Sequence, residues 1–386
     1  MNVVYLDNNA TTRVAPEVYE SMIPFFTDMY GNASSMHTFG GQVGKSIKMA
    51  REQAAALIGA HPEEIIYTSC GTESDSTAIL AAINAQPDKK HIVTTRVEHS
   101  AIIALCQYLE TKGYDVTWLG VDKKGQIDLA ELEASLRPDT AIVSIMYANN
   151  ETGTIFPIQK IAEMVHEHGI VFHTDAVQAA GKLPLDARKT PFNFLSISGH
   201  KLHAPKGIGL LYVRRGTRFI PFLRGGHQEH GRRAGTENSP YIVGLGKACE
   251  LAMQNFEHEN TVVPALRNKL EQRLVELIPN AIINGDREHR LPNTTNIAFE
   301  SVEGEAILLL LDQFGICASS GSACTSGSLE PSHVLRAMGV PFTYAHGSVR
   351  FSLSRYTTEA EIDLVIDKLP QIIASLRKIS PFTPSH

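Results

Sequence analysis

Between about residues 60 and 215, short apolar runs rich in β-branched residues alternate with stretches of helical spacing, and this alternation most constrains what the chain can fold into. Residues 64–69, 91–97, 115–121, 140–147, 169–174, 192–198 and 209–213 read as strands, with helical patterns at 72–85, 101–111, 129–136 and 158–168 between most of them. Successive strand–helix–strand units pair their strands side by side in parallel, which puts helices on both faces of one sheet. The near-continuous apolar run Ala141-Ile-Val-Ser-Ile-Met146 fits a strand buried on both faces. The last two strands are joined by residues 199–207 with no helical spacer, so the final strand is expected to run antiparallel. The fold class is α/β with a mostly parallel central sheet.

A chain of 386 residues exceeds one ordinary core, so a second domain is expected. A long helical stretch follows Pro240 and reaches Leu277, with a break expected near Pro264; the elements beyond are shorter, at 296–299, 303–314, 332–338 and 349–354. A closing helix opens on Thr358-Glu-Ala-Glu361, the spacing of a capping box. The expected division is a large α/β domain over 15–255 and a small α+β domain built from 1–14 plus 256–386. The net charge of −6 argues against a nucleic-acid or anionic-membrane partner, and the longest aliphatic run, Ala306 to Leu311, is too short to cross a bilayer. The beginning of the chain has no basic segment ahead of an apolar core, and five scattered cysteines form no disulfide framework, so a cytoplasmic location is expected.

Two of the strand-like runs end on chemistry. Asp175 directly follows the strand-like run 169–174, within His173-Thr-Asp-Ala-Val-Gln178, and Lys201 closes Ser198-Gly-His-Lys201, 26 residues later. A lysine amine to hold an aldehyde and a carboxylate to keep a pyridine nitrogen protonated are what pyridoxal phosphate requires. Strand carboxyl ends are also where open α/β sheets bind ligands. Cys70-Gly71-Thr72, where a strand turns into a helix, reads as a plain helix cap or as an anion site made of free N–H groups and the Thr72 hydroxyl. With a lysine to hold the cofactor, the phosphate reading is preferred, and Ser198 and His200 are placed to join it. His99 offers an imidazole that stacks on a ring and moves protons near neutral pH. Asn150, after another strand, offers an amide to the cofactor oxygen or the substrate, and Gln178 a donor to a phenolate oxygen.

Cys324 stands in Ser319-Ser-Gly-Ser-Ala-Cys324, where glycine and serine neighbours give exposure and reach to a nucleophilic thiolate. Cys106 and Cys249 lie on apolar helical faces and Cys317 in an expected buried turn, all read as packing residues. Arg350, inside the apolar Ser348-Val-Arg-Phe-Ser-Leu, suits a substrate carboxylate or an intramolecular ion pair. Thr236, in a polar glycine-rich loop, offers a further phosphate contact. His227 and His230 lack a third ligand, so no metal is expected.

These features together resemble the cysteine desulfurases of the NifS/IscS family, fold-type-I pyridoxal phosphate enzymes related to aspartate aminotransferase. The resemblance runs over essentially the whole chain, through Tyr5-Leu-Asp-Asn-Asn-Ala-Thr-Thr12, Gly31-Asn-Ala-Ser-Ser35, Thr68-Ser-Cys-Gly-Thr-Glu73, Val97-Glu-His99, Ala148-Asn-Asn-Glu-Thr-Gly153, Gly231-Arg-Arg-Ala-Gly-Thr-Glu-Asn238 and Arg350-Phe-Ser-Leu-Ser-Arg355. It implies that Lys201 carries the cofactor, Asp175 pairs with the pyridine nitrogen, His99 stacks on the ring and Gln178 meets the phenolate oxygen. Gly71, Thr72, Ser198, His200 and a neighbouring subunit's Thr236 hold the phosphate; Asn150 and Arg350 orient L-cysteine; Cys324 takes its sulfur as a persulfide and alanine is released. It further implies a homodimer that passes sulfur to an iron–sulfur scaffold protein of the NifU/IscU kind. The phrases Gly225-Gly-His-Gln-Glu229 and Glu303-Gly-Glu-Ala-Ile-Leu-Leu-Leu-Leu311 look closest to the nitrogen-fixation subgroup, hence a role in nitrogenase maturation. Asn32-Ala33 stands where the family more often has Asn-Pro, a departure expected to alter only local stiffness. Rival readings are a housekeeping desulfurase, a selenocysteine lyase or aminotransferase on the same fold, and a non-catalytic scaffold, for which Lys201, Asp175 and Cys324 together would have no use.

Overall fold

A computed structural model describes residues 3–320 and 331–380; Cys324 and its immediate neighbours lie outside the described residues. Seven strands form the large sheet: β2 (Ile65–Thr68), β3 (His91–Thr95), β4 (Asp115–Leu119), β5 (Thr140–Ser144), β6 (Val171–Asp175), β7 (Phe194–Ser198) and β8 (Gly209–Val213), preceded in the chain by β1 (Val4–Tyr5). Their order is β2-β8-β7-β6-β5-β3-β4. Strands β3 to β7 are parallel, and β8 runs antiparallel to both β7 and β2. A reversal without a crossover helix can only make an antiparallel pair, so the loop after β7 accounts for the orientation of β8. Every residue of β3, β5, β7 and β8 is buried, as the helices on both faces require.

Helix Gly71–Asn84 packs across β7 and β8 through Ala78, Ile79, Ala82 and Ile83, which fixes its first turn beside the ends of β6 and β7. Helix Thr38–Leu57 lies against helix Ser239–Gln254. The two backbones come so close that a Cβ on Gly246 would sit 2.6 Å from Ala50 Cβ. Only glycine permits that approach.

A separate apolar core is formed by the antiparallel sheet β9 (Ala281–Asn284), β10 (Thr294–Phe299) and β12 (Ser348–Ser352), covered by helices Phe256–Leu277 and Glu359–Ile379. The N-terminus joins this core: Val4 and Leu6 are buried in it, and β1 pairs in parallel with β11 (Ile316–Cys317). The closing helix carries the reciprocal Thr358–Glu361 cap that its sequence predicts.

Two expectations are corrected. The helical stretch after Pro240 breaks at Asn255, not at Pro264. Asn255 stops the first helix by turning its side-chain amide onto the Leu251 carbonyl at 2.8 Å. Pro264 stays inside the second helix, and the carbonyl its ring leaves without a donor belongs to the exposed Asn260, where water can serve it. Cys317 sits in β11 rather than in a buried turn, because its main chain is the register partner of Tyr5, and it is only partly buried. No helix among the described residues is long and apolar enough to cross a membrane.

Leu6 is fully buried, and its main chain bridges β11 and β12 through Leu6 N to the Cys317 carbonyl at 2.8 Å and Ser352 N to the Leu6 carbonyl at 2.7 Å. Leu6→Ala should therefore lower stability by about 2–5 kcal/mol, the usual cost of a buried leucine truncation. Urea unfolding followed by far-UV circular dichroism reads it; a loss below about 1 kcal/mol would mean that the N-terminal strand is not part of the core.

Candidate active site

The carboxyl ends of the parallel strands converge on one cavity of about 340 Å³. Asp175 is the last residue of β6, Ser198 the last of β7, and a single 3-10 turn, Gly199–Lys201, carries His200 and Lys201 beyond it. His99 caps the helix that follows β3, its Nδ1 accepting from Ala101 N at 3.2 Å. Asn150 leaves the turn after β5, and Arg350 enters from β12. The cavity wall includes Gly71, Thr72, His99, Asn150, Asp175, Gln178, Ser198, His200, Lys201 and Arg350. Thr236 is not in this wall: it is exposed, on a loop tied to the first turn of helix Gly71–Asn84 by Arg233 Nε donating to Glu73 Oε1 at 2.8 Å. Cys324 lies outside the described residues, but Ser319 and Ser320 are on the wall, and Ser319 exchanges both main-chain hydrogen bonds with Arg350.

Burial dominates the electrostatics. Removal from water, with the positive charges of Arg350 and Lys182 nearby, brings the Lys201 amine down to about 7. Its Nζ donates to the carbonyls of Asn9 at 2.5 Å and Ala10 at 2.6 Å. Asp175 is pushed upward by burial, against the pull of His99 and Lys201, while its Oδ1 accepts from Val177 N at 2.8 Å. Burial likewise lowers His99, and it brings His200, hydrogen-bonded to Thr11 Oγ1 at 3.1 Å, down to about 4.

The sequence assigned no role to several groups found here. The segment Asp7–Thr11 lies against the predicted site residues. Asn9 O accepts from Gln178 Nε2 at 3.0 Å as well as from Lys201, Asn9 Nδ2 donates to the Asn150 carbonyl at 3.0 Å, and Asp7 pairs with Arg350 at 2.7 Å. The ion-pair alternative for Arg350 is thus realised, with the side chain still on the cavity wall. Its polar run Asp-Asn-Asn directly after a short apolar strand was the available signal. Beneath the cavity, the imidazole of His173 lies between Ser144 Oγ and Ser196 Oγ, each at 2.9 Å, with Asp75 Oδ1 at 3.5 Å from its Nε2. Burial pushes Asp75 well above the usual carboxylate range, Glu98 to about 8, and His173 down to about 3. Burial disfavours the charged form of each of the three, and Asp75 is itself on the cavity wall. A histidine inside a strand and an aspartate in the first turns of a helix carry no such signal in the sequence.

The residues present suit pyridoxal phosphate. Ser198 Oγ and Gln178 Oε1 are buried polar atoms without a partner in the described residues. Such groups are costly unless a ligand completes them. The first N–H groups of helix Gly71–Asn84 have no intrahelical acceptor and face an anion favourably. Gly71 leaves that turn open: a Cβ there would lie 3.0 Å from Val177 Cγ2 and 3.4 Å from Ser198 Cβ. A lysine amine near neutrality and a buried carboxyl group complete the donor set.

Comparison with known proteins agrees. The model of the class-V aminotransferases matches residues 4–365. Over 382 residues the chain is 64% identical to a cysteine desulfurase of Trichormus azollae, covering 99% of this chain and 96% of that protein. Over 380 residues it is 62% identical to the cysteine desulfurase NifS of Azotobacter vinelandii, covering 98% and 94%. A solved structure of a NifS-like protein matches with a TM-score of 0.92 at 39% identity, over 97% of this chain and 100% of that one. The chain belongs to the class-V aminotransferase family, in its cysteine desulfurase branch, and pyridoxal phosphate is its cofactor.

Proposed function

We propose that this protein is an L-cysteine desulfurase that releases L-alanine and leaves the substrate sulfur as a persulfide on Cys324. The observation that carries this reading is the convergence of Lys201, Asp175 and Arg350 on one cavity, whose wall includes Ser319 at the head of the segment leading to Cys324. Gly71, Thr72, Ser198 and His200 are positioned to hold the phosphate, Asp175 to keep the pyridine nitrogen protonated, Gln178 to meet the phenolate oxygen and His99 to cover the ring. Pyridoxal phosphate, when bound, supplies an electron sink conjugated with the substrate α-carbon. Arg350 and Asn150 orient the α-carboxylate. Lys201, whose amine is half neutral near pH 7, takes the α-proton. The Cys324 thiolate attacks the substrate Sγ: an S–S bond forms, the Cβ–S bond breaks, and the electron pair left on Cβ takes a proton, with His99 as the carrier.

The same reading extends to the assembly and its setting. A homodimer is supported by Thr236, which is exposed and outside its own subunit's cavity, where it can reach a second copy's phosphate. The division into a domain over 15–255 and one over 1–14 plus 256–386 is supported by the apolar core that unites Val4 and Leu6 with residues from Val263, Leu270 and Leu274 to Val349, Ile362 and Ile373, although Val334, Leu335, Met338 and Ala345 pack into the large core instead. Delivery of sulfur to a NifU/IscU-like scaffold for nitrogenase maturation is supported by the 62% identity to the NifS of Azotobacter vinelandii. A cytoplasmic setting suits the free thiols of Cys70, Cys106, Cys249 and Cys317.

Supplied with L-cysteine, the holoenzyme should form alanine and sulfide in equal amounts when a reductant is present. Cys324→Ser should lower turnover by at least about a thousandfold, since removing a catalytic nucleophile can cost up to roughly a millionfold. Alkylation and peptide mass spectrometry should place the sulfane sulfur on Cys324; sulfane sulfur on another cysteine with Cys324→Ser still active would overturn the assignment. The lowered Lys201 amine also fixes a pH dependence. Neutral amine predominates above its pKa, so the rate at which cofactor-stripped protein takes up pyridoxal phosphate should rise with a midpoint near pH 7. A midpoint near 10 would return Lys201 to an ordinary solvated amine. Mixing Lys201→Ala with Thr236→Ala subunits, each nearly inactive alone, should restore activity in hybrids that contain one intact site. No recovery, with dimers demonstrated by sedimentation, would remove Thr236 from the partner's site.

A further inference from the structure

Arg350 rises from the middle of β12 into the cavity with its side chain 7% exposed. Its guanidinium can grip a carboxylate at two points along either of two edges, Nε with Nη2 or Nη1 with Nη2. Both edges include Nη2. In this structure Nη2 donates to Asp7 Oδ1 at 2.7 Å and Nη1 to the Asn150 carbonyl at 3.1 Å. The buried Nε has no partner among the described residues. Asp7 is therefore bound to the one nitrogen common to both forks.

Its position does not depend on a flexible side chain alone. Asp7 forms a parallel bridge with Ser352, two residues along the strand that bears Arg350, and Asn8 N donates to the Ser352 carbonyl at 3.1 Å. The preceding Leu6 is locked in the apolar core. The main chain thus holds carboxylate and guanidinium face to face. An incoming carboxylate meets a neutral pair with one branch of the fork already taken, where an unpaired arginine would present a full positive charge and two open edges.

We propose that Asp7 is an internal competitor for Arg350: an α-carboxylate ligand must share Nη2 with it or displace it, so the pair weakens carboxylate binding and speeds departure of the carboxylate product. This rests on the reading of Arg350 as the substrate-carboxylate site. It makes Asp7 a determinant of affinity rather than a participant in bond breaking.

The test is equilibrium binding of L-alanine to the holoenzyme, followed through the absorption change of the bound pyridoxal phosphate. Asp7→Asn should tighten L-alanine about tenfold, the scale of removing one nearby charge at a half-buried site. It should lower KM for L-cysteine in parallel without raising kcat. Asp7→Ser, which also removes the charge, should behave alike and keeps the test usable if the asparagine variant misfolds. Arg350→Gln, as the control, should weaken L-alanine. If Arg350→Gln leaves L-alanine binding unchanged, the arginine reading fails and this inference with it. If Arg350→Gln weakens binding but the Asp7 variants bind L-alanine equally or more weakly, the arginine reading stands, Asp7 is only a brace, and the competitor role is overturned.

Discussion

The structure of the site depends on one short segment, residues 6–11, which stitches the small antiparallel sheet to the ends of the large parallel one. Leu6 anchors it by apolar burial, and Asn8 and Asn9 tie it to Ser352 by hydrogen bonds. The segment then distributes polar contacts over five groups from four parts of the chain: Arg350, Asn150, Gln178, and the neighbours His200 and Lys201. A buried backbone carbonyl must find a donor. Placing Asn9 O where both Gln178 and Lys201 can reach it therefore satisfies the backbone and fixes two functional side chains at once. Without this segment the strand ends would still converge, but Lys201 and Arg350 would lack the partners that set their position.

Desolvation governs the chemistry of this site more than any single ion pair. It is the largest cause of the displacement of Lys201, Asp175, His99 and His200. On Lys201, His99 and His200 the effect favours the neutral form, which a base needs, whereas on Asp175 it works against the carboxylate and is opposed by the positive charges of His99 and Lys201. The deeper groups, Asp75, Glu98 and His173, carry the same logic further. Burial disfavours the anionic form of Asp75 and Glu98 and so limits the accumulation of negative charge around Asp175, while His173 is held neutral.

Legibility in the sequence followed the range of the physics involved. The strands β3 and β5 to β8 were readable because burial on both faces leaves an apolar run, and the closing helix because its cap spans only Thr358 to Glu361. The helix break was misplaced because proline's cost depends on whether the freed carbonyl meets water, as that of the exposed Asn260 can. The strands β1 and β11 are two residues each and owe their existence to pairing with one another across more than 300 positions of chain, which no local pattern records. Arg350 stood out as a cation in an apolar strand, yet Asp7, 343 residues away, did not.

The sequence by itself determined the alternation that makes a parallel sheet, and hence that Asp175, Ser198 and Lys201 lie at strand ends where ligands bind, because side-chain periodicity and burial are local properties of the chain. It also carried, in its ordered motifs, the family to which the chain belongs. Only the tertiary structure decided which carboxylate faces Arg350, which carbonyls hold Lys201, and how far burial displaces each titratable group. Those depend on distances between segments remote in sequence and on the exclusion of water from the space between them, and neither quantity exists until the two cores have packed.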